Sequence, residues 1–299
     1  MRTILIIKGP LALAIGIAVA AVSCGETTAG SAAGPMRIVA TTTVVSEIAA
    51  RVGGDATVIE TLIPGGADPH DFRASSRQAA ALRNADLVIS NGLGLEQGLA
   101  DVIDDAIADG VPVLKIAPSL DPIPLSDGSG LDPHFWMDPL RVAAAAELIA
   151  ERLTQIDEGP WLENAGRFGE ELATVDQMMV ELLEAVPERR LVTNHDSLGY
   201  LASRHGFEIV GVIIPGGTTI AEPSSADLAA LVDVLAELDI PAIFIDGGLR
   251  SDVAEAIAAE VGEVSIVELR TTSIGDPGAA TIAEMLLAAT QTIARALTP

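Results

Sequence analysis

The chain holds four histidines in 299 residues, and three of them share a context. His70 stands in Asp68-Pro69-His70-Asp71, His134 in Asp132-Pro133-His134-Phe135-Trp136-Met137-Asp138-Pro139, and His195 in Asn194-His195-Asp196. Neutral imidazole nitrogens suit Zn2+ and other late first-row ions, whereas Mg2+ and Ca2+ prefer oxygen donors. A carboxylate lies near each ring in sequence: Asp71, Asp138 and Asp196. Such groups accept the second ring N–H and fix the tautomer. Proline before His70 and His134 restricts both loops. A single Asp-flanked loop histidine is ordinarily a surface turn residue; it is the repetition that makes these three a candidate metal set. His205, in Ser203-Arg204-His205-Gly206, reads as structural, a cation at a helix C-terminus ahead of a capping glycine.

The elements that must position these residues follow one rhythm. Strand-like runs at 36–40, 57–63, 86–90 and 111–116 alternate with helical patterns at 44–52, 76–83 and 95–108. The alternation returns with strands at 191–193, 207–212, 242–246 and 264–269 and helices at 197–204, 226–238, 252–261 and 282–297. Strands alternating with helices mean parallel sheets with crossover helices, here in two α/β lobes. All three histidines fall in loops after predicted strands. Ligands of open α/β sheets bind outside the carboxyl ends of the strands, so loops from two lobes are expected to converge on one cleft. A helix at 140–153 is broken by Glu158-Gly159-Pro160. A second pattern, 161–186, then runs without internal proline for about 39 Å, as a single rigid connector between the lobes.

Bulk composition narrows the function classes. Forty-two acidic residues against 17 basic leave a net charge of -25, which excludes nucleic acid and electrostatic docking on anionic lipid and suits a soluble protein that attracts cations. Aromatics are 3% of the chain, so the core must be aliphatic. Arg2 and Lys8 precede an uncharged, mostly apolar stretch too short to span a bilayer. It ends in Ala21-Val22-Ser23-Cys24, similar to a bacterial lipobox, in which cleavage before Cys24 leaves its thiol to carry a diacylglycerol; Ala21 departs from the usual Leu. Cys24 is the sole cysteine, so no internal disulfide forms. The expected layout is 1–23 lipoprotein signal peptide, 24–35 flexible tether, 36–138 N-terminal lobe, 139–188 helical connector and 189–299 C-terminal lobe. The expected location is extracytoplasmic, anchored to the cell membrane by the lipid on Cys24.

Five stretches in order resemble one family. They are Pro69-His70-Asp71, Asn91-Gly92-Leu93-Gly94-Leu95-Glu96, Asp132 to Pro139, His195-Asp196-Ser197-Leu198-Gly199-Tyr200, and Glu222-Pro223-Ser224-Ser225. Together they are similar to the metal-specific substrate-binding lipoproteins of bacterial ABC importers, which take up zinc or manganese. The resemblance implies two α/β lobes joined by a long backbone helix, with the metal buried between them. It implies His70, His134 and His195 as ligands, an ABC-transporter permease as partner, a monomer, and no catalysis. Manganese-binding relatives tend to carry Glu at the third position, so His195 points to Zn2+, with Mn2+ or Fe2+ as alternatives. One departure stands out. Thr272, in Thr271-Thr272-Ser273, takes the place of the family's Asp, leaving the fourth position to water or to Asp276. The 119–131 loop carries acids but no histidine, so the metal scavenging of some zinc-uptake relatives is not expected of it. Glu222 and Asp246 read as cleft-lining or permease-facing groups, or as solvated and capping ones. Affinity should fall as pH drops through the histidine range. Other readings are a zinc hydrolase, for which no H-E-x-x-H motif is present, and a surface adhesin on the same scaffold.

Overall fold

The fold was analysed as a computed structural model, which describes residues 34–247, 251–262, 264–275 and 278–298, with Met1 and Thr3. Cys24, nearly all of the leader and of the tether, and Asp276 lie outside the described residues. Residues 35–299 form one unit.

The first sheet contains β1 (Met36–Ala40), β2 (Thr57–Thr61), β3 (Leu87–Ser90) and β4 (Val113–Lys115) in the order β2-β1-β3-β4, all parallel. The second contains β5 (Arg190–His195), β6 (Glu208–Ile214), β7 (Ala242–Asp246) and β8 (Ser265–Leu269) in the order β6-β5-β7-β8, again all parallel. Both orders are the same, the expected doubled α/β arrangement. The central strands β3 and β7 are short apolar runs, Leu87-Val88-Ile89 and Ala242-Ile243-Phe244-Ile245, because both faces are covered. In β1, Ile38 and Ala40 join the central core while Val39 joins an outer one; in β7, Ala242 and Phe244 face inward while Ile243 and Ile245 face outward. The period of two thus sorts one strand between two cores.

The helices are α1 (Thr43–Gly53), α2 (Ser76–Arg83), α3 (Ala100–Ala108), α4 (Pro139–Thr154), α5 (Trp161–Leu183), α6 (Gly199–His205), α7 (Ser225–Glu237), α8 (Ser251–Val261) and α9 (Ile282–Ala296). The central core runs from α1 through α4 and α5 to α9, under both sheets. On α5 the buried residues are Trp161, Ala165, Phe168, Leu172, Val175, Met179 and Leu183, the three-and-four spacing of one helical stripe. Its 23 residues span about 35 Å. It ends earlier than the pattern suggests because Pro187 disfavours helix at Val186. The expected helix over 95–108 is also shorter. Glu96 turns back to accept from the Asn91 and Gly92 amides at 2.7 and 3.1 Å, and Leu93 takes a φ of 52°, so residues 91–96 fold as a turn.

Candidate metal centre

Each histidine is delivered by a different local device. After β2 the chain turns through Gly66, whose φ of 79° suits glycine, to Asp68-Pro69-His70. Asp68 Oδ1 accepts from the His70 amide at 2.9 Å, an Asx turn that sets the direction of the ring. The same turn recurs at Asp132-Pro133-His134, where Asp132 Oδ1 accepts from the His134 amide at 2.8 Å. Here the carboxylate also meets His134 Nδ1 at 2.8 Å, within a pair that is 0% and 1% exposed. That contact places the proton on Nδ1 and leaves the Nε2 lone pair free. The Asp-Pro-His loop is held from behind by Asn91 Nδ2, which donates to Pro133 O at 2.9 Å, and by the Tyr200 hydroxyl, which donates to Asp132 O at 3.1 Å. Gly199 must be glycine: a Cβ there would sit 2.5 Å from Asp132 Oδ2.

His195 is placed differently from the expectation. It is the last residue of β5 rather than a loop residue, because the strand continues past Thr193 to pair His195 with Ile214. Its Nδ1 faces Asn194 Oδ1 at 3.3 Å, and its Nε2 is buried without a hydrogen-bond partner.

The three rings converge. Their centroids are 5.5 Å (His70–His134), 5.3 Å (His134–His195) and 5.9 Å (His70–His195) apart. One ligand atom from each lies within 4.8 Å of the others, and all three residues are buried. The His70 and His134 Nε2 atoms are 3.4 Å apart. Two nitrogens each about 2.05 Å from a tetrahedral ion stand about 3.4 Å from one another, so this pair already has ligand spacing. Burial, helped by His134, depresses the His70 pKa to about 3; burial likewise holds His195 well below its ordinary value, with His134 and His70 acting in the same direction. Both rings are neutral at physiological pH, the form that binds metal.

The carboxylates expected beside the rings are not the ones found there. Asp138 caps α4, its Oδ1 accepting from Leu140 N at 2.9 Å ahead of Pro139, and Asp132 takes its place at His134. Asp196 accepts from the Ser126 amide and hydroxyl, both at 2.6 Å, across the cleft. Asp71 is exposed, and His70 Nδ1 is buried with no partner. The two-residue Asp-x-His spacing was the signal for Asp68 and Asp132. Nothing comparable marks Asn194, while Asp246 reads from sequence only as a cleft-lining or permease-facing group, or as a capping one. Asp246 ends β7 at 4% exposure, and its carboxylate accepts from Thr271 Oγ1 at 2.6 Å and from Thr272 Oγ1 at 3.4 Å. Burial pushes its pKa up to about 6, with the hydrogen bonds from Thr271 and Thr272 acting in the opposite direction. Thr272 is half-buried beside it. His205 precedes a left-handed Gly206 cap with a φ of 72°, and burial, the largest influence, lowers its pKa. Glu222 is exposed.

Several contacts join the lobes around the rings. Asp68 Oδ2 accepts from the Thr219 hydroxyl, Gly66 N donates to Ser273 Oγ at 3.0 Å, and Trp136 Nε1 donates to Thr271 O at 2.6 Å. The 121–131 loop docks on the second sheet through Ser126–Asp196 and through Gly216 N to Asp127 Oδ2 at 3.1 Å.

Two matching parallel α/β sheets, a shared helical spine and a polar cluster enclosed between the strand ends define a two-lobed solute-binding protein. Residues 38–296 match the family described as zinc-uptake complex component A, periplasmic, and the chain belongs to that family of metal-binding ABC-importer proteins. It is 26% identical over 279 residues to the manganese-binding lipoprotein MntA of Halalkalibacterium halodurans, covering 90% of this chain and 92% of that one. It is 28% identical over 234 residues to the iron-binding protein YfeA of Yersinia pestis, covering 76% and 74%. The fold matches the periplasmic zinc-binding protein TroA of Treponema pallidum with a TM-score of 0.80 and 25% identity, over 89% of this chain and all of that one. Among the described residues no helix is long and apolar enough to cross a membrane.

Proposed function

We propose that the chain captures Zn2+ between its lobes on His70, His134 and His195 and delivers it to the permease of an ABC importer. The observation that carries this reading is the convergence of three buried imidazoles, one donor atom from each within 4.8 Å of the others. Three nitrogen donors favour a borderline-soft ion over Mg2+ or Ca2+. Asp132 fixes the tautomer of His134, and Asn194 faces Nδ1 of His195, so the donors are oriented before the ion arrives. The interlobe hydrogen bonds then shut water from the ion. Release requires those bonds to break while α5 keeps both lobes on one spine. The protein works as a monomer, outside the cytoplasm, held to the membrane by a lipid on Cys24; mass spectrometry of membrane-extracted protein tests the anchor.

The relatives named for manganese and iron support a second reading, the same site loaded with Mn2+ or Fe2+. Calorimetry of the chelator-stripped protein, followed by competition between Zn2+ and Mn2+, separates the two. Zinc outcompeting manganese by three orders of magnitude or more is the expected result. No heat with either metal defeats the capture hypothesis.

A further inference from the structure

The second lobe carries an acidic group whose position points at the same cation. β5 and β7 are neighbouring parallel strands with Val192 beside Ile243 and Thr193 beside Phe244. Carried two residues on, that register sets His195 beside Asp246 at the carboxyl ends of strands about 4.8 Å apart. Residues level with each other on adjacent parallel strands face the same side, here the inner face that Ala242 and Phe244 share with the central core. A second link confirms the adjacency: Asn194 Oδ1, which meets His195 Nδ1, also accepts from the Asp246 amide at 3.1 Å.

The surroundings of Asp246 are incomplete for a carboxylate. It is 4% exposed, and among the described residues its side-chain donors are Thr271 Oγ1 at 2.6 Å, Thr271 N at 3.4 Å and Thr272 Oγ1 at 3.4 Å, all neutral. Among the described residues no Lys or Arg pairs with it. A buried carboxylate is stable when a cation or a full set of donors meets it, and two of its three contacts are long. The three imidazoles, for their part, are neutral donors that leave one corner of a tetrahedral site to be filled. In the described conformation the Asp246 oxygens rest on the threonines, outside the group of three ring nitrogens. A side-chain rotation that gave up the long Thr272 contact would free one oxygen while the shorter Thr271 bond kept the other.

We propose that Asp246 supplies the fourth, oxygen donor to the cation held by His70, His134 and His195, with Thr271 and Thr272 guiding its carboxylate. This inference rests on the reading of the three histidines as metal ligands. It makes the centre an N3O site that draws two donors from each lobe. Closing the lobes then assembles the full set, and opening them splits it evenly.

The test uses the full chain, stripped with chelator and titrated with Co2+ and with Zn2+. Asp246→Asn should weaken Zn2+ binding about 100-fold and change the visible spectrum of the Co2+ form. Because Thr272 Oγ1 lies 3.4 Å from Asp246 Oδ1, an acid at 272 would stand at nearly the same place. Asp246→Asn combined with Thr272→Asp should therefore recover at least tenfold of the loss and much of the parent spectrum. An Asp246→Asn protein with parent affinity and an unchanged Co2+ spectrum overturns the proposal and leaves the three histidines standing. A parent protein that binds neither metal defeats the histidine reading itself. If Asp246→Asn does not fold, Asp246→Glu keeps the charge and moves the oxygens by one methylene. A folded Glu variant with an altered Co2+ spectrum supports the ligand role, and an unaltered one overturns it.

Discussion

The two sheets have the same strand order but offer their histidines in unlike ways. The first lobe presents His70 and His134 from loops, each on an Asp-Pro-His turn whose Asp clips the histidine amide. The second lobe presents His195 from the last position of a strand, where ladder pairing with Ile214 already sets the backbone. A loop ligand needs its own clamp; a strand-end ligand borrows the rigidity of the sheet. The lesson is that the same chemistry was reached by local hydrogen bonding on one side and by sheet register on the other, and the two sides should fail differently when perturbed.

The largest break in the comparison is removal of a ring. His134→Ala should cost more than a thousandfold in Zn2+ affinity by calorimetry, and His195→Ala should match it; either variant binding like the parent would sink the site. Next comes the clamp. Asp132→Asn should cost 10- to 100-fold in affinity because Asp132 alone holds both the amide and Nδ1 of its histidine, whereas Asp68→Asn should cost less than 10-fold. Equal losses for the two would mean that the repeated turn, not the tautomer, is what matters.

Between the lobes, Leu172→Ala on α5 opens a cavity in the spine and should lower stability by about 2–5 kcal/mol in denaturant titration, with metal affinity within twofold of the parent while folded. A large affinity loss there would show that the spine shapes the site rather than only joining its halves.

The acid response should separate the buried rings from Asp246. The His70 pKa is lowered to about 3, so its contribution to stability is complete above its unfolded value near 6.5 and is lost as pH falls toward 3. Asp246 is raised to about 6, so its contribution is complete below about 3.8 and is lost as pH rises through 6. Between pH 4 and 6 the two act in opposite directions. In chelator, the melting temperature of Asp246→Asn relative to the parent should rise as pH goes from 4 to 7; a flat difference would remove Asp246 from the account. The sequence-based expectation that affinity falls through the ordinary histidine range is also revised, since burial moves His70 and His195 to much lower pH.

The smallest effect is expected from the docked loop. Ser126→Ala removes one hydroxyl bond to Asp196 and leaves the amide bond, so metal dissociation should quicken about fivefold, consistent with roughly 1 kcal/mol per hydrogen bond.

Much of the site could be read from residues alone, and the misreadings have physical causes. Proximity in sequence pairs Asp138 with His134, yet Asp-Pro before a helix is a cap followed by proline at the first turn, and that use prevails. Asn-His-Asp looks like a turn and suggests a loop position for His195, but β6 extends to Ile214 and carries β5 with it. The sequence pattern extends the helix back to residue 95 because nothing local shows that Glu96 folds back on Asn91.

By itself the sequence determined the alternation of strands and helices, the apolar stripe of α5, the Asp-x-His turns and the three imidazoles available for a soft cation. These are properties of neighbours along the chain, set by periodicity, proline and short-range hydrogen bonds. Only the tertiary structure decided which carboxylate reaches which ring, that His70 and His195 are buried enough to stay neutral, and that Asp246 ends beside His195. Those depend on strand register and on the lobes closing over one another, where distances between residues far apart in sequence, and the removal of water around them, set the chemistry.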